Sequence, residues 1–314
     1  MTRTSTLSAD LSRKVAAAAL LALMIAPASF AQSSLPRTTE GRPDLQGNWS
    51  SQWLTPVERP AGVTKLVLDD AEAAQLVKTL LARAEQNNPL DPELAWPDAT
   101  SLTVVRGENR SSLVIDPPDG KLPWTDAGRA AARGYITGLD HPEQRMTTER
   151  CIGGVGWAPL QIRSASMIHR IVQTSDYFVL QTEAYDDTRI AGFGRTHNPI
   201  SLDQPGGDSV ARWDGDVLEV VTINNDPQFS THGIVTVKSP AARVTERFEL
   251  VSPDEVVYTY TINDPAYYAK PWTAQYSLVR TTDKLFEFAC HEGNYSMIGM
   301  LGGARVDDAK AAKK

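Results

Sequence analysis

From residue 167 onward the chain is a succession of short β-branched and aromatic runs separated by turn residues, and this rhythm constrains the fold more than any other feature. The runs are 167–174, 177–183, 189–193, 209–213, 217–223, 234–237, 243–250, 256–262, 272–280 and 285–291. Many short strands at this spacing mean an antiparallel sandwich or barrel. The links are mostly short, which favours a meander over a Greek key. Asp214-Gly215, between two of the runs, marks a hairpin because both residues tolerate the positive φ of a type I′ turn. The expectation is an all-β, mainly antiparallel fold: an up-and-down, calycin- or lipocalin-like barrel of roughly eight to ten strands with a small N-terminal helical appendage.

The N-terminus has a different texture. Arg3, Arg13 and Lys14 precede an apolar run over 15–25, then Pro27 and the small residues Ser29 and Ala31. This is the pattern of a signal peptide occupying 1–31, with cleavage before Gln32. The apolar run falls short of the roughly 20 residues that a bilayer-spanning helix needs, so no membrane span is expected after cleavage. The protein is therefore read as periplasmic or secreted. The chain carries a formal charge of -7, and loss of a basic leader makes it more acidic. Nucleic acid and anionic membrane surfaces are poor partners for such a surface.

Residues 32–145 read as an N-terminal appendage. Asp69 or Asp70 caps one helix, whose Leu76, Val77, Leu80 and Leu81 recur at helical spacing until Asn88-Pro89 stops it. The proline-rich stretch 89–124 reads as wrapped loop with one strand at 111–115, and a weaker helix covers 126–135. The barrel is assigned to 146–305, and 306–314 is a polar tail.

Cys151 and Cys290 are the two cysteines, and an even pair in an oxidising compartment reads as a disulfide. The competing role for Cys290, a thiol nucleophile beside His291, is disfavoured because a secreted lone thiol is easily oxidised.

Strand alternation shows which polar side chains share a face with apolar ones. Glu246 lies with Val244, Phe248 and Leu250; His169 with Met167 and Ile171; Glu183 with Tyr177, Val179 and Gln181. Carboxylates and imidazoles facing inward point to a pocket rather than a solid core. The closing run His291-Glu292-Gly293-Asn294-Tyr295 would deliver three acid, base or hydrogen-bonding groups to the mouth of that pocket. His291, Glu292, Tyr295 and Glu246 are thus the catalytic candidates, and Arg150, His169 and Glu183 the substrate-binding ones. Glu149-Arg150 could instead form an ion pair bracing the disulfide.

The reading is a cofactor-independent acid-base enzyme, a lyase, isomerase or hydrolase, acting on a small and partly apolar substrate. In it His291 is the general acid or base, tuned by Glu292 or Glu246; Tyr295 donates to an oxyanion and Arg150 holds an anionic group. The alternative is a non-catalytic binder of a hydrophobic small molecule in the same cavity. No metal site is read, because the histidines never fall at i, i+2 or i, i+4 spacing. Phosphate loops, dinucleotide fingerprints and G-x-S-x-G elbows are missing from the sequence, so no cofactor is expected.

The segments GRPDLQGNW (41–49), Glu149-Arg150-Cys151, GDSVARWDGDVLEV (207–220), Thr245-Glu246-Arg247-Phe248, Asp264-Pro265, Lys270-Pro271-Trp272-Thr273-Ala274 and FACHEGNYSMIGMLGGAR (288–305) together resemble a large family of secreted proteins from environmental bacteria, of no assigned activity. That resemblance covers most of the mature chain and implies export and a shared fold, but no mechanism. The stretch 193–205 departs from the pattern in being more polar, and no role is read for Arg195 or His197.

Overall fold

The computed structural model describes residues 35–87, 99–162, 167–199, 205–226 and 237–313. The leader assigned to 1–31 lies outside these residues, as does most of the expected strand 234–237. In chain order, β1 (Gly47–Ser50) is followed by β2 (Val67–Leu68), helix α1 (Asp70–Asn87), β3 (Val104–Val105), β4 (Glu108–Arg110), β5 (Val114–Asp116) and helix α2 (Asp126–Thr137). Asp69 and Glu72 cap α1 reciprocally: the Glu72 N–H donates to Asp69 Oδ1 at 2.9 Å and the Asp69 N–H to Glu72 Oε2 at 3.1 Å. Leu68, Ala73, Leu76 and Leu102 make a small core of their own under this helix.

The wall of the main body is built from β1 and from β6 (Ile168–Gln173), β7 (Tyr177–Thr182), β8 (Thr188–Phe193), β9 (Asp208–Asp214), β10 (Val217–Ile223), β11 (Arg243–Ser252), β12 (Glu255–Asn263) and β13 (Trp272–Arg280). β13 pairs with β1 through Trp49↔Arg280 and Ser50↔Val279, which closes nine strands into a barrel. A ring of purely antiparallel neighbours must hold an even number of strands. Nine therefore force a parallel junction, and it falls between β8 and β9, paired only as Gly192↔Val210 and Phe193↔Ala211. The barrel is mostly β but mixed in orientation, so an unbroken meander is corrected at this junction.

β1 and β5 come from the stretch read as an appendage and are part of the wall, β5 taking the part of the β13 edge that β1 leaves open. Gly47, inside the GRPDLQGNW segment, has φ +125, and a Cβ there would lie 2.5 Å from Arg280 Nη1. Arg280 in turn lies 4.3 Å over the ring of fully buried Trp49. The glycine is what lets that guanidinium cover the tryptophan.

Three local expectations change. Residues 285–291 form no strand, because both edges of β13 are already paired and closure leaves no free ladder to join. After Arg280 the chain instead reaches a single helical turn, Cys290–Gly293, and helix α3 (Ser296–Ala311), which takes up most of the expected polar tail. The β9–β10 turn is Gly215 and Asp216, since Asp214 pairs with Val217; only Gly215 has positive φ (61), as in a type II′ turn.

The barrel interior is filled rather than hollow. The segment 151–162 runs into it, burying Val155, Ala158 and Leu160. Leu160 is held at both ends of its peptide unit: its N–H donates to Tyr258 Oη and its carbonyl accepts from Tyr276 Oη, each at 2.9 Å. Around it Phe178, Phe248, Tyr258 and Tyr276 stack in succession with centroids 4.9–5.1 Å apart. Lys238 Nζ donates to the Ala158 carbonyl and, at 2.9 Å, to Asn225 Oδ1. At the start of this plug Cys151 is bonded to Cys290, across 139 residues of sequence.

Candidate functional site

The catalytic candidates do not converge. His291, Glu292 and Tyr295 are exposed on and after the short turn that follows the disulfide, Tyr295 to 80%. The disulfide is braced by Asn294, whose Nδ2 donates to the Glu149 carbonyl at 2.9 Å and to Cys151 Sγ at 3.2 Å. Glu149 pairs with Arg145, at 2.8 and 2.9 Å, and Arg150 is half-buried in the same turn. Glu183 sits at the end of β7 and accepts the Phe286 N–H at 3.1 Å, tethering the segment after β13 to the outside of the wall.

Glu246 and His169 do face inward, as alternation requires, but each is fully engaged. Glu246, 0% exposed, accepts two hydrogen bonds from Arg189, one of them 2.8 Å, and one from Tyr258 Oη at 2.6 Å. His169 lies between Ser51 Oγ at 2.8 Å and Thr182 Oγ1 at 2.9 Å. Burial, aided by the charge of Arg189, pushes its imidazole down to about 3, so it is neutral at ordinary pH.

The wall itself opens at the parallel junction. Because β8 and β9 share two rungs only, their ends diverge around a cleft of about 690 Å³ lined by Trp157, Tyr177, Arg189, Arg195, Asp208 and Ser209 among others. Arg189, on the inward face of β8, borders this cleft. Its side chain is 6% exposed, its terminal nitrogens hold Glu246, and its Nε–H has no hydrogen-bond partner among the described residues. Arg195 donates to the Tyr177 hydroxyl at 2.6 Å, with the guanidinium 5.0 Å from the ring centroid. Asp208 is turned toward its own loop: it accepts from His197 Nδ1 at 2.7 Å, from the Asn198 N–H at 2.9 Å and from Asn198 Nδ2 at 2.9 Å.

One side of the cleft is fixed by a glycine loop. Asp187, immediately before β8, accepts the N–H groups of Gly154 and Gly156, each at 2.9 Å. Gly153 has φ +95, and a Cβ on it would lie 2.3 Å from Asp187 Oδ1, so a side chain would break this clasp. Burial pushes the Asp187 carboxyl up to about 6, against the lowering effect of the Gly156, Gly154 and Val155 amides. The clasp positions Trp157, which lies against Gly206 on the facing side.

A second groove, of about 610 Å³, runs along α1 between Val63, Leu68, Ala71 and Leu76 and is mainly apolar. Among the described residues no group of three or more His, Cys, Asp and Glu side chains is placed to hold a metal ion, and no helix is long and apolar enough to cross a membrane. No family model matches the chain, and no curated protein matches it in sequence.

Arg189, Tyr258, Trp157 and Asp208 were not singled out from sequence. For two of them a signal existed: Arg189 alternates with Ala191 and Phe193, and Tyr258 with Val256 and Tyr260, which places both on inward faces. Trp157 and Asp208 gain their positions from the plug and the parallel junction, which alternation does not report.

Proposed function

We propose that the protein binds a small molecule in the cleft between β8 and β9 and acts outside the cytoplasm as a non-catalytic binder. The observation that carries this is the opening of an otherwise closed wall at its one parallel junction, where a cleft within the size range of ligand sites reaches a buried arginine. The disulfide supports an oxidising compartment. Export and kinship with the secreted family resembled above belong to the same proposal. So does the lipocalin-like reading of the fold: meander order on both sides of the junction supports it, whereas the plugged interior moves the ligand from the barrel axis to the seam.

The acid-base enzyme is the second reading, and one observation favours it: the His197–Asp208 pair, 2.7 Å apart, has the form of an oriented imidazole. Against it, Thr196 and Asn198 line the cleft while His197 does not, and Asn198 shares the same carboxylate, as in a loop brace. Binding without turnover is the expectation.

The test is a ligand screen by thermal shift and native mass spectrometry on the wild type and on Ile190→Trp. Ile190 lines the cleft and is 58% exposed, so a larger ring there fills the mouth without disturbing the core. Hits should lose binding in the variant and be recovered chemically unchanged. Undiminished binding by Ile190→Trp would remove the cleft from consideration, and conversion of a hit that stops in His197→Asn would establish the enzyme instead.

A further inference from the structure

We infer that the ligand of this cleft is a small planar carboxylate, an aromatic or conjugated acid, anchored by Arg195; the inference rests on the cleft being the binding site. It is argued from the charge left over once internal pairing is complete, and from the shape of the walls.

Among the described residues three charged side chains line the cleft: Arg189, Arg195 and Asp208. Asp208 is satisfied by its own loop, with three donors from His197 and Asn198. Arg189 is balanced by Glu246 inside the barrel. Arg195 has no carboxylate partner among the described residues; its one hydrogen bond goes to the neutral Tyr177 hydroxyl. Among the described residues the cleft therefore presents one positive charge without a countercharge, on a group with five N–H donors in a planar fork of which one is used. The buried Arg189 Nε–H has no hydrogen-bond partner among the described residues. A neutral ligand leaves the Arg195 charge unanswered, whereas a carboxylate meets the fork with two parallel charge-assisted hydrogen bonds.

The walls select a flat body for that carboxylate. The hydrogen bond to the Tyr177 hydroxyl already holds Arg195, so the fork is oriented before the ligand arrives. Across the cleft the Trp157 indole lies against Gly206, and Gly192, Gly194 and Gly207 also contribute to the lining. Walls built largely of glycine backbone admit a slab-shaped group. A volume of about 690 Å³ leaves room for an acid of one or two rings. The overall charge of -7 does nothing to attract an anion at long range, so recognition has to come from this local fork.

The experiment is calorimetric titration of the full exported chain with 2-naphthoate and cinnamate, each beside its primary amide, for the wild type, Arg195→Gln, Arg195→Lys and Ile190→Trp. Each carboxylate should bind about 10- to 100-fold more tightly than its amide, the range of a charged hydrogen-bonded pair. Arg195→Gln should bring the carboxylates down to the level of the amides while leaving the amides unchanged, and Arg195→Lys should restore part of the difference. Arg195 is exposed, so these variants should fold, with unchanged circular dichroism as the check. Equal binding of acid and amide, or indifference of the acid to Arg195→Gln, would overturn the carboxylate inference. If the amides still bind and lose binding in Ile190→Trp, the cleft itself survives that failure. If no carboxylate binds, the inference falls, and only neutral ligands sensitive to Ile190→Trp can sustain the broader reading.

Discussion

Substitution of Glu246 by glutamine tests the physical account of the barrel interior most directly. The carboxylate is 0% exposed and receives three hydrogen bonds, two from Arg189 and one from Tyr258. Glutamine keeps the volume, but its amide nitrogen is a donor facing the donors of Arg189 or Tyr258, and the guanidinium loses its countercharge in a site 6% exposed. Removing one partner of a buried pair costs about 3–5 kcal/mol, because the charge left behind is desolvated and uncompensated. At about 2–4 °C per kcal/mol for a large domain, Tm should fall by roughly 10 °C. The double variant Arg189→Met/Glu246→Leu removes both charges and should recover most of that loss, since apolar replacements of whole buried pairs are often neutral. Urea unfolding of the wild type, Arg189→Met, Glu246→Leu and the double variant gives the coupling energy. A single-variant loss under 1 kcal/mol, or a double variant as unstable as the two singles combined, would refute the claim that charge compensation holds this interior together.

Other outcomes follow from the same structure. Peptide mapping without reductant should recover Cys151 joined to Cys290; reduction should cost at most about 5 kcal/mol, the chain-entropy value for a closed loop of 139 residues. His169, with its folded pKa depressed from 6.5 to about 3, contributes stability that is present above pH 6.5 and is lost as pH falls toward 3, by up to about 1.4 kcal/mol per unit. Asp187, raised from 3.8 to about 6, has the opposite sign: its contribution is full below 3.8 and is lost as pH rises through 6. The two offset each other between 3.8 and 6, so Asp187→Asn should steepen acid destabilisation in that window; urea midpoints measured at several pH values would show an unchanged slope if this is wrong. His291→Ala, at an exposed position, should shift stability by less than about 0.5 kcal/mol in the same assay.

The sequence disclosed the wall in some detail and the contents of the barrel poorly. Alternation and turn residues located β6 to β13 within a residue or two, and the cap and spacing of Leu76 and Leu80 located α1, because these are local patterns with a fixed period. Glu246 was placed inward for the same reason. Its partner was not found, because Arg189 is 57 residues away in sequence and meets it only across the interior. The strand assigned to 285–291 has the alternation and composition of a strand; what denies it a place is the pairing of both β13 edges, a property of the assembled sheet. With that strand gone, His291, Glu292 and Tyr295 lose the mouth they were to serve. The plug of 151–162 was invisible because glycine-rich loops carry no periodicity, and its role depends on tyrosine hydroxyls from β12 and β13.

Parity connects the strand count to the site. The GRPDLQGNW strand and the eight strands from β6 to β13 make nine, and an odd ring cannot close with antiparallel neighbours alone. The junction could have fallen at the β13–β1 closure, which needs no link; between consecutive strands it needs a link long enough to carry the chain back along the barrel, about a dozen residues. Among the wall links after β6, those between β8 and β9 and between β10 and β11 meet that length. The β10–β11 strands pair antiparallel along six rungs, which leaves β8–β9 with two. A junction so short must diverge, and whatever lines the divergence is set by the residues flanking it: Arg189 and Arg195 on one side, Gly206 to Ser209 on the other.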